Sequence, residues 1–460
     1  MYRKNAWKEY TDEQIKAVMD FNEGYKDFLS KGKTERLCVE LTKELAEAKG
    51  FRNLDEILKN GGEIKAGDKI YAENMGKNMA LFVIGEEPLE KGMRILGAHI
   101  DSPRLDLKQN PLYESEEFAM LDTHYYGGIK KYQWVTLPLA LHGVVVKKDG
   151  TKITLAIGEK EDDPVFGITD LLPHLAADQM QKTGAKIVEG ENLDVTFGSI
   201  PLKDEKKDAV KANVLKILED TYGIEAEDFV SAEIEVVPAG KARDLGLDRS
   251  MVMGYGHDDR VCAYTSLAAV LDVENCEYTN CCFLVDKEEI GSVGATGAQS
   301  LWMENTIAEL MAAMDGSESL IKVRRAMANS KMLSSDVSAA VDPLYLSVSE
   351  KKNAAFLGYG VVFNKYTGAR GKSGSNDANP EYMAEIRRAM DEEKICYQTS
   401  ELGKVDQGGG GTIAYIMGNY CMNVIDAGVP VMNMHAPWEV VSKADVYEAY
   451  RAYKAFLAEV

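Results

Sequence analysis

The feature that most constrains the fold of this chain is an apolar run that ends abruptly at paired acids. Residues Cys281 to Val285 are β-prone, and the segment that follows contains the adjacent Glu288 and Glu289. A buried strand does not hold two carboxylates in its middle, but its carboxyl end can place them in the crevice at the edge of an α/β sheet. There, one carboxylate can bind a metal ion while its neighbour transfers a proton. The alternative is a solvated acidic loop, because charged residues are mostly exposed.

Size and charge narrow the class of protein. The 460 residues exceed what one hydrophobic core usually serves, so two domains are expected. The net charge of −21 argues against nucleic acid or an anionic membrane as the main partner. Residues Met1 to Glu13 lack the apolar core expected of a signal peptide, and no run reaches the roughly 18 apolar residues of a membrane span. Because the seven scattered cysteines form no CxxC pair, we expect reduced thiols and a cytoplasmic protein.

A second apolar run ends in a histidine and an acid. Residues Met93 to Ala98 lead into His99-Ile100-Asp101. In an extended chain His99 and Asp101 point to the same side. This spacing allows a carboxylate to orient a metal-binding imidazole, although His-x-Asp alone is not specific.

The same kind of junction recurs three times further along the chain. Asp258 and Asp259 precede an alanine-rich apolar stretch that we predict to be a helix, and Asp336 and His435 follow apolar runs. A carboxylate before a helix can cap its first amide groups, so Asp258 is open to both a capping and a metal-binding interpretation. Both hold if Asp259 caps the helix while Asp258 faces the crevice.

Residues 113–245 differ from the segments on either side in their pattern of predicted strands and helices, and we predict that they form an inserted domain. A β-hairpin is expected around Asp149-Gly150, followed by a charged helix near 204–219. Residues 1–112 and 246–460 would then form one discontinuous catalytic domain.

The strand-end residues together suit a pair of metal ions. They are two histidines and three carboxylates, with one additional glutamate: His99, Asp258, Glu289, Asp336, His435 and Glu288. This is the minimum for two zinc ions that share a carboxylate and lie about 3.5–4 Å apart. Each ion would have three protein ligands and an open position, as catalytic zinc sites require. Cobalt and manganese also suit such ligands.

Taken together, these motifs resemble those of the aspartyl aminopeptidase family of co-catalytic zinc exopeptidases. The matching segments run through nearly the whole chain: Gly97 to Pro103, Tyr126-Gly127-Gly128, Leu172 to Leu175, Asp258-Asp259, Asp286 to Gly291, Ser335-Asp336 and Met434-His435. The resemblance implies an α/β fold with a mixed-sheet, phosphorylase/hydrolase-like zinc exopeptidase domain and an inserted β-rich dimerisation domain. It also implies a metal-dependent aminopeptidase that acts on peptides with a free amino terminus.

The resemblance further implies a role for each site residue. Asp258 would bridge the two zinc ions, with the other ligands paired as His99 and Asp336 on one ion and Glu289 and His435 on the other. Glu288 would be the general base, and Asp101 would orient His99. His174 of the insert would reach a neighbouring subunit's active site and stabilise the tetrahedral intermediate. The expected assembly is a homo-dimer that builds a larger oligomer, and the tetrahedral dodecamers known in this family are the model for it.

Two departures from the family pattern leave questions open. His257 stands before the bridging Asp258 where leucine is common, and we expect it to point away from the metal ions. The loop around Lys365 only partly matches the family segment that supplies a lysine for the substrate's carboxylate. Lys365 is therefore a candidate substrate-binding residue, and a preference for acidic amino-terminal residues stays open.

Three other functions are compatible with parts of the sequence. A di-zinc deacylase or carboxypeptidase would use the same ligands, and a catalytically silent homologue would keep the fold. A nucleotide-binding enzyme would use the glycine-rich turn Gly291 to Gly297, which lacks the Gly-Lys-Ser/Thr ending of a phosphate loop.

Overall fold

A computed structural model describes residues 4–316, 319–368 and 371–460, which divide into two compact units. The first unit comprises the described residues of Met1–Asp101, Ala242–Met434 and Glu439–Val460. The second comprises Ser102–Lys241 and His435–Trp438. No helix within these described residues is long and apolar enough to cross a membrane.

The first unit is built on a nine-stranded mixed sheet. Its strands, in spatial order, are Arg52–Asn53, Lys69–Asn74, Asn78–Val83, Asn280–Val285, Arg94–His99, Lys331–Ser334, Asn423–Gly428, Val361–Asn364 and Tyr397–Thr399. The strand Asn280–Val285 pairs in parallel with Arg94–His99 and antiparallel with Asn78–Val83. The mixed α/β fold predicted from the sequence is confirmed.

Helices cover the central strands of this sheet. The longer ones are Asp12–Lys31, Glu35–Ala48, His257–Leu271, Trp302–Asp315, Leu320–Asn329, Pro380–Glu392 and Lys443–Glu459; the shorter ones are Ala6–Glu9, Leu54–Lys59 and Ala414–Gly418. Every residue of Arg94–His99 and of Asn280–Val285 is buried, which explains why both read as continuous apolar runs. The helices Asp12–Lys31 and Glu35–Ala48 follow one another near the amino-terminal end of the unit, and the Thr34 side chain caps the second by accepting a hydrogen bond from the Leu37 amide.

A smaller five-stranded sheet completes the first unit. Its order is Arg243–Leu245, Met251–Gly254, Glu439–Ser442, Pro430–Met432 and Ser338–Ala339. The strand Met251–Gly254 leads directly into the helix His257–Leu271, so this sheet fixes where that helix begins.

The second unit is a six-stranded antiparallel sheet with one long helix, Ala209–Tyr222. The strand order is Lys152–Ile157, Leu139–Val146, Ala232–Pro238, Arg104–Ser115, Phe118–Tyr126 and Val195–Gly198. The hairpin around Asp149-Gly150 is present, with Gly150 at a φ of 88° that glycine adopts readily.

The unit begins earlier than the predicted boundary at residue 113, which falls inside the strand Arg104–Ser115. That strand pairs with Ala232–Pro238 and Phe118–Tyr126, which binds it to the second unit from Arg104 onward. Its partner Ala232–Pro238 is far away in the sequence, so the local pattern did not reveal that pairing. A role of this unit in dimerisation stays a prediction.

Candidate metal centre

Parallel strands bring several of the predicted site residues to one edge of the nine-stranded sheet. His99 is the last residue of its strand and lies in register with Val285, the residue that ends the neighbouring strand. Glu288 and Glu289 follow three residues later in a short 3₁₀ turn. On the other side, Lys331–Ser334 also runs parallel to the His99 strand and ends just before Asp336. Carboxyl ends of parallel strands thus gather these side chains where α/β proteins bind ligands.

His99 is at the centre of this group. Its imidazole is 1% exposed, and Nε2 lies 3.1 Å from Oδ1 of Asp258. The same nitrogen is 3.9 Å from Oε2 of Glu288 and 4.0 Å from Oδ1 of Asp336. Potential ligand atoms lie within 4.8 Å of one another in two groups, His99 with Asp258 and Glu289, and His99 with Glu288 and Asp336.

Asp101 connects the histidine to the paired glutamates. Its Oδ1 lies 3.2 Å from His99 Nδ1, and its two carboxylate oxygens accept hydrogen bonds from the backbone N–H groups of Glu288 and Glu289, each at 3.2 Å. The sequence predicted the contact with His99. It gave no signal for the contacts with the glutamates, which lie 187 and 188 residues away.

The start of the helix His257–Leu271 holds Asp258 in place. The backbone N–H of Asp258 donates to Oε2 of Glu439 at 3.0 Å, and Glu439 is 1% exposed. Sequence reasoning missed Glu439, because nothing local marks it as a neighbour of Asp258. The expected cap at Asp259 was wrong: its Oδ2 accepts a hydrogen bond from the backbone N–H of His99 at 3.3 Å, and no side chain caps the helix.

The electrostatics of the group fit a divalent cation. Burial opposes the charged form of His99, yet its contacts with Asp101 and Asp258 outweigh burial and raise the pKa of the imidazole well above its ordinary value. Burial, followed by the charges of Glu288 and Asp259, raises the pKa of Asp336 well above the ordinary range. Buried carboxylates that repel one another are stabilised by a shared cation. Imidazole nitrogen and carboxylate oxygen are ligands that zinc accepts.

His435 is placed with the second unit. Its Nδ1 lies 2.9 Å from the carbonyl oxygen of Gly128, so Nδ1–H donates and the lone pair is on Nε2. That tautomer is the one a metal-binding histidine adopts when its other nitrogen donates to a carbonyl. Neither ligand group found above among the described residues contains His435, and its role as a ligand stays a prediction.

Three further candidate residues lie outside the two ligand groups. His257 is fully buried, its Nδ1 is hydrogen-bonded to the Tyr25 hydroxyl, and burial lowers the pKa of its imidazole to about 3. His174 lies in the short turn Pro173–Leu175 of the second unit. Lys365 forms an ion pair with Asp377 on the surface. The roles of His174 and Lys365 stay predictions.

A mixed α/β sheet that gathers a histidine and carboxylates at its strand ends defines a metal-dependent hydrolase of the zinc exopeptidase type. Residues 28–457 match the model of the family described as aminopeptidase I zinc metalloprotease (M18). The chain therefore belongs to the M18 family of aminopeptidases.

Sequence and structural similarity to known proteins over nearly the full length of the chain supports this assignment. The chain is 61% identical over 455 residues to a probable M18 family aminopeptidase 1 of Clostridium acetobutylicum, covering 99% of this chain and 98% of that one. The crystal structure of an M18 family aminopeptidase from Thermotoga maritima has a TM-score of 0.95 at 45% identity, with full coverage of both chains. The S. cerevisiae mApe1 dodecamer shares the fold, with a TM-score of 0.76 at 19% identity over 95% of this chain and 96% of that one.

These findings confirm the predicted activity class, a zinc-dependent aminopeptidase that hydrolyses peptide bonds.

Proposed function

We propose that this aminopeptidase binds two divalent metal ions, which we expect to be zinc, and that Asp258 is a ligand of both. The ligand pairs would be His99 with Asp336 and Glu289 with His435. The observation that carries this proposal is the position of His99 Nε2, which lies 3.1 Å from Asp258 Oδ1 and 4.0 Å from Asp336 Oδ1. Glu289 belongs with His99 and Asp258 to one of the two groups of potential ligand atoms. The tautomer of His435, set by Gly128, supports its place in the set.

Bound metal ions would supply Lewis acidity toward the scissile carbonyl and toward water. The chain's own contribution is the transfer of the proton. We propose that the Glu288 carboxylate takes a proton from the attacking water and returns it to the leaving amine. Its backbone N–H is fixed by Asp101, and its Oε2 lies 3.9 Å from His99 Nε2.

The experiment that tests this function is hydrolysis of a panel of aminoacyl-arylamides by the purified protein. We expect cleavage of unblocked substrates, nearly complete loss of activity after chelation, and recovery when zinc or cobalt is added back. N-acylated versions of the same substrates should not be cleaved, because the free amino group is part of what is recognised. Cleavage of the N-acylated series instead would indicate a deacylase. A panel ranking that favours aspartyl and glutamyl arylamides, and loses this preference in Lys365→Ala, would assign Lys365 to the substrate's carboxylate.

Asp101 is proposed as a positioning residue, because it contacts both His99 and the turn that carries the glutamates. We expect Asp101→Asn to weaken zinc binding by about 10–100-fold, the usual effect of losing a partner of a metal-bound histidine. Competition with a chromogenic chelator measures this affinity directly. Asp315→Asn, at an exposed helix end, is the matched control. Equal zinc affinity in the two variants would contradict the assignment.

We further propose that the second unit mediates assembly into a homo-oligomer, a dimer that builds a larger particle. Around His174, the exposed apolar side chains of Leu171, Leu172 and Leu175 would be covered by another subunit; Leu175 is 70% exposed. The dodecamer of the yeast protein with the same fold supports a large closed assembly. The cytoplasmic location predicted from the sequence stays part of this proposal.

Leu175→Asp is expected to reduce the particle size, because a charge placed in an apolar interface must be desolvated without a partner. Light scattering after size-exclusion chromatography measures the mass. Leu247→Asp is the control, since Leu247 is a fully exposed leucine elsewhere in the chain. A particle of unchanged mass in Leu175→Asp would exclude this surface as the interface.

A further inference from the structure

A cavity lies at the end of the sheet opposite to the metal-site residues, where their strands begin. It has a volume of about 620 Å³, within the range of about 300–1,000 Å³ that is usual for small-molecule sites. Arg94 and Asn280, which face each other at the start of two parallel strands, are among its lining residues. His99 ends the Arg94 strand five residues later, about 16 Å away at the usual rise of a strand. The cavity is therefore separate from the metal centre.

The floor of this cavity carries a buried cation. Arg94 is 6% exposed, its guanidinium is stacked at 4.0 Å on the ring of Tyr278, and burial lowers the pKa of Arg94 below its ordinary value. Within the described residues, Arg94 makes no ion pair. The carboxylate of Glu385 favours its charge from a distance but binds Lys331 Nζ at 2.6 Å. A buried guanidinium without a carboxylate partner is costly, and a bound carboxylate would relieve that cost.

Asn280, which pairs with Arg94 across the two strands, has a buried side-chain oxygen that lacks a hydrogen-bond donor among the described residues. Its side chain is 1% exposed, and its Oδ1 accepts no hydrogen bond from the part of the chain that the structure describes. A half-turn of the amide exchanges its oxygen and nitrogen with little change in shape, so it can offer a donor or an acceptor to a ligand.

The remaining lining decides which kind of anion fits. The mouth carries the exposed Glu274 and Glu277, and its one lysine, Lys454, is paired with Asp272 at 3.5 Å; the remaining acidic charge would repel a phosphate or another multiply charged anion. The same acids would attract an ammonium group. Val273 and Leu457 provide an aliphatic wall. A ligand with one carboxylate, one ammonium group and an aliphatic side chain matches all three regions.

We propose that this cavity binds a free α-amino acid, with its carboxylate on Arg94 and its ammonium group toward the acidic mouth. Free amino acids are the products that an aminopeptidase releases, so the enzyme would recognise its own product at a site remote from the metal ions. The proposal does not depend on which residues hold the metal.

The test is binding of L-leucine to the holoenzyme, measured by equilibrium dialysis and calorimetry, in two cavity variants. Asn280→Asp places a carboxylate beside Arg94 with almost no change in shape, and Arg94→Met removes the charge. Both should weaken leucine binding at the cavity at least tenfold and lower the number of leucines bound per subunit. Hydrolysis by Asn280→Asp should be unchanged, which separates this loss from any damage to the catalytic site. Arg325→Met, at an exposed arginine, is the control.

Two ligand analogues sharpen the result. N-acetyl-L-leucine lacks the ammonium group and isoamylamine lacks the carboxylate, so neither should bind the cavity. If leucine binds the cavity variants and the control equally, it occupies the catalytic site alone and the proposal is wrong. Absence of leucine binding to the wild type would also overturn it. A failure of the metal-site proposal would appear instead as altered zinc binding or hydrolysis.

Discussion

Glu288→Gln should remove most of the aminopeptidase activity and leave the metal content unchanged. Glutamine has nearly the same shape as glutamate, and the backbone N–H of residue 288 keeps its bond to Asp101. The amide has no basic oxygen that could take a proton from water. Because general acid–base transfer contributes about 10²–10⁴-fold to rate, kcat should fall by about that factor while KM changes little.

The measurement is steady-state hydrolysis of an aminoacyl-arylamide together with elemental analysis of bound zinc. Glu309→Gln serves as the control, because Glu309 is an exposed glutamate on the helix Trp302–Asp315. Activity within a few-fold of the wild type in Glu288→Gln would place the general base elsewhere.

Asp258→Ala should abolish activity through a different route, the loss of metal. A shared carboxylate is a ligand of both ions, so its removal should leave fewer than one tightly bound zinc per subunit. The stabilisation that zinc gives to the folded protein depends on its affinity, so the rise in Tm on adding zinc should shrink as well.

Zinc content after dialysis and Tm with and without zinc measure this effect. Asp20→Ala, at an exposed position of the helix Asp12–Lys31, is the matched control. Two tightly bound zinc ions in Asp258→Ala would remove Asp258 from the bridging position. Together, the two variants separate proton transfer from metal binding.

The parts of the site that could be predicted from the sequence are those that follow from strand ends. His99 comes directly after an apolar run, Glu288 and Asp336 follow within three residues of two others, and parallel strands bring such residues to one edge of the sheet. The fold class follows from the same pattern, because fully buried strands read as continuous apolar segments.

The parts that could not be predicted depend on contacts between distant segments. Glu439 accepts a hydrogen bond from the backbone N–H of Asp258, and Asp259 accepts one from the backbone N–H of His99. No local sequence pattern indicates either hydrogen bond. The capping prediction for Asp259 failed for this reason, since its Oδ2 accepts a hydrogen bond from the distant His99 N–H instead of from the start of the helix. The predicted domain boundary at residue 113 falls inside the strand Arg104–Ser115, because one of that strand's partners, Ala232–Pro238, is far away in the sequence.

The hydrogen bond between Tyr25 and His257 has a consequence for how the protein tolerates engineering at its amino-terminal end. Tyr25 lies on the helix Asp12–Lys31, and His257 is the residue immediately before Asp258. Truncations that remove this helix would leave a buried, neutral imidazole without its hydroxyl partner. Tyr25→Phe should therefore lower zinc affinity, although that residue lies more than two hundred positions from Asp258.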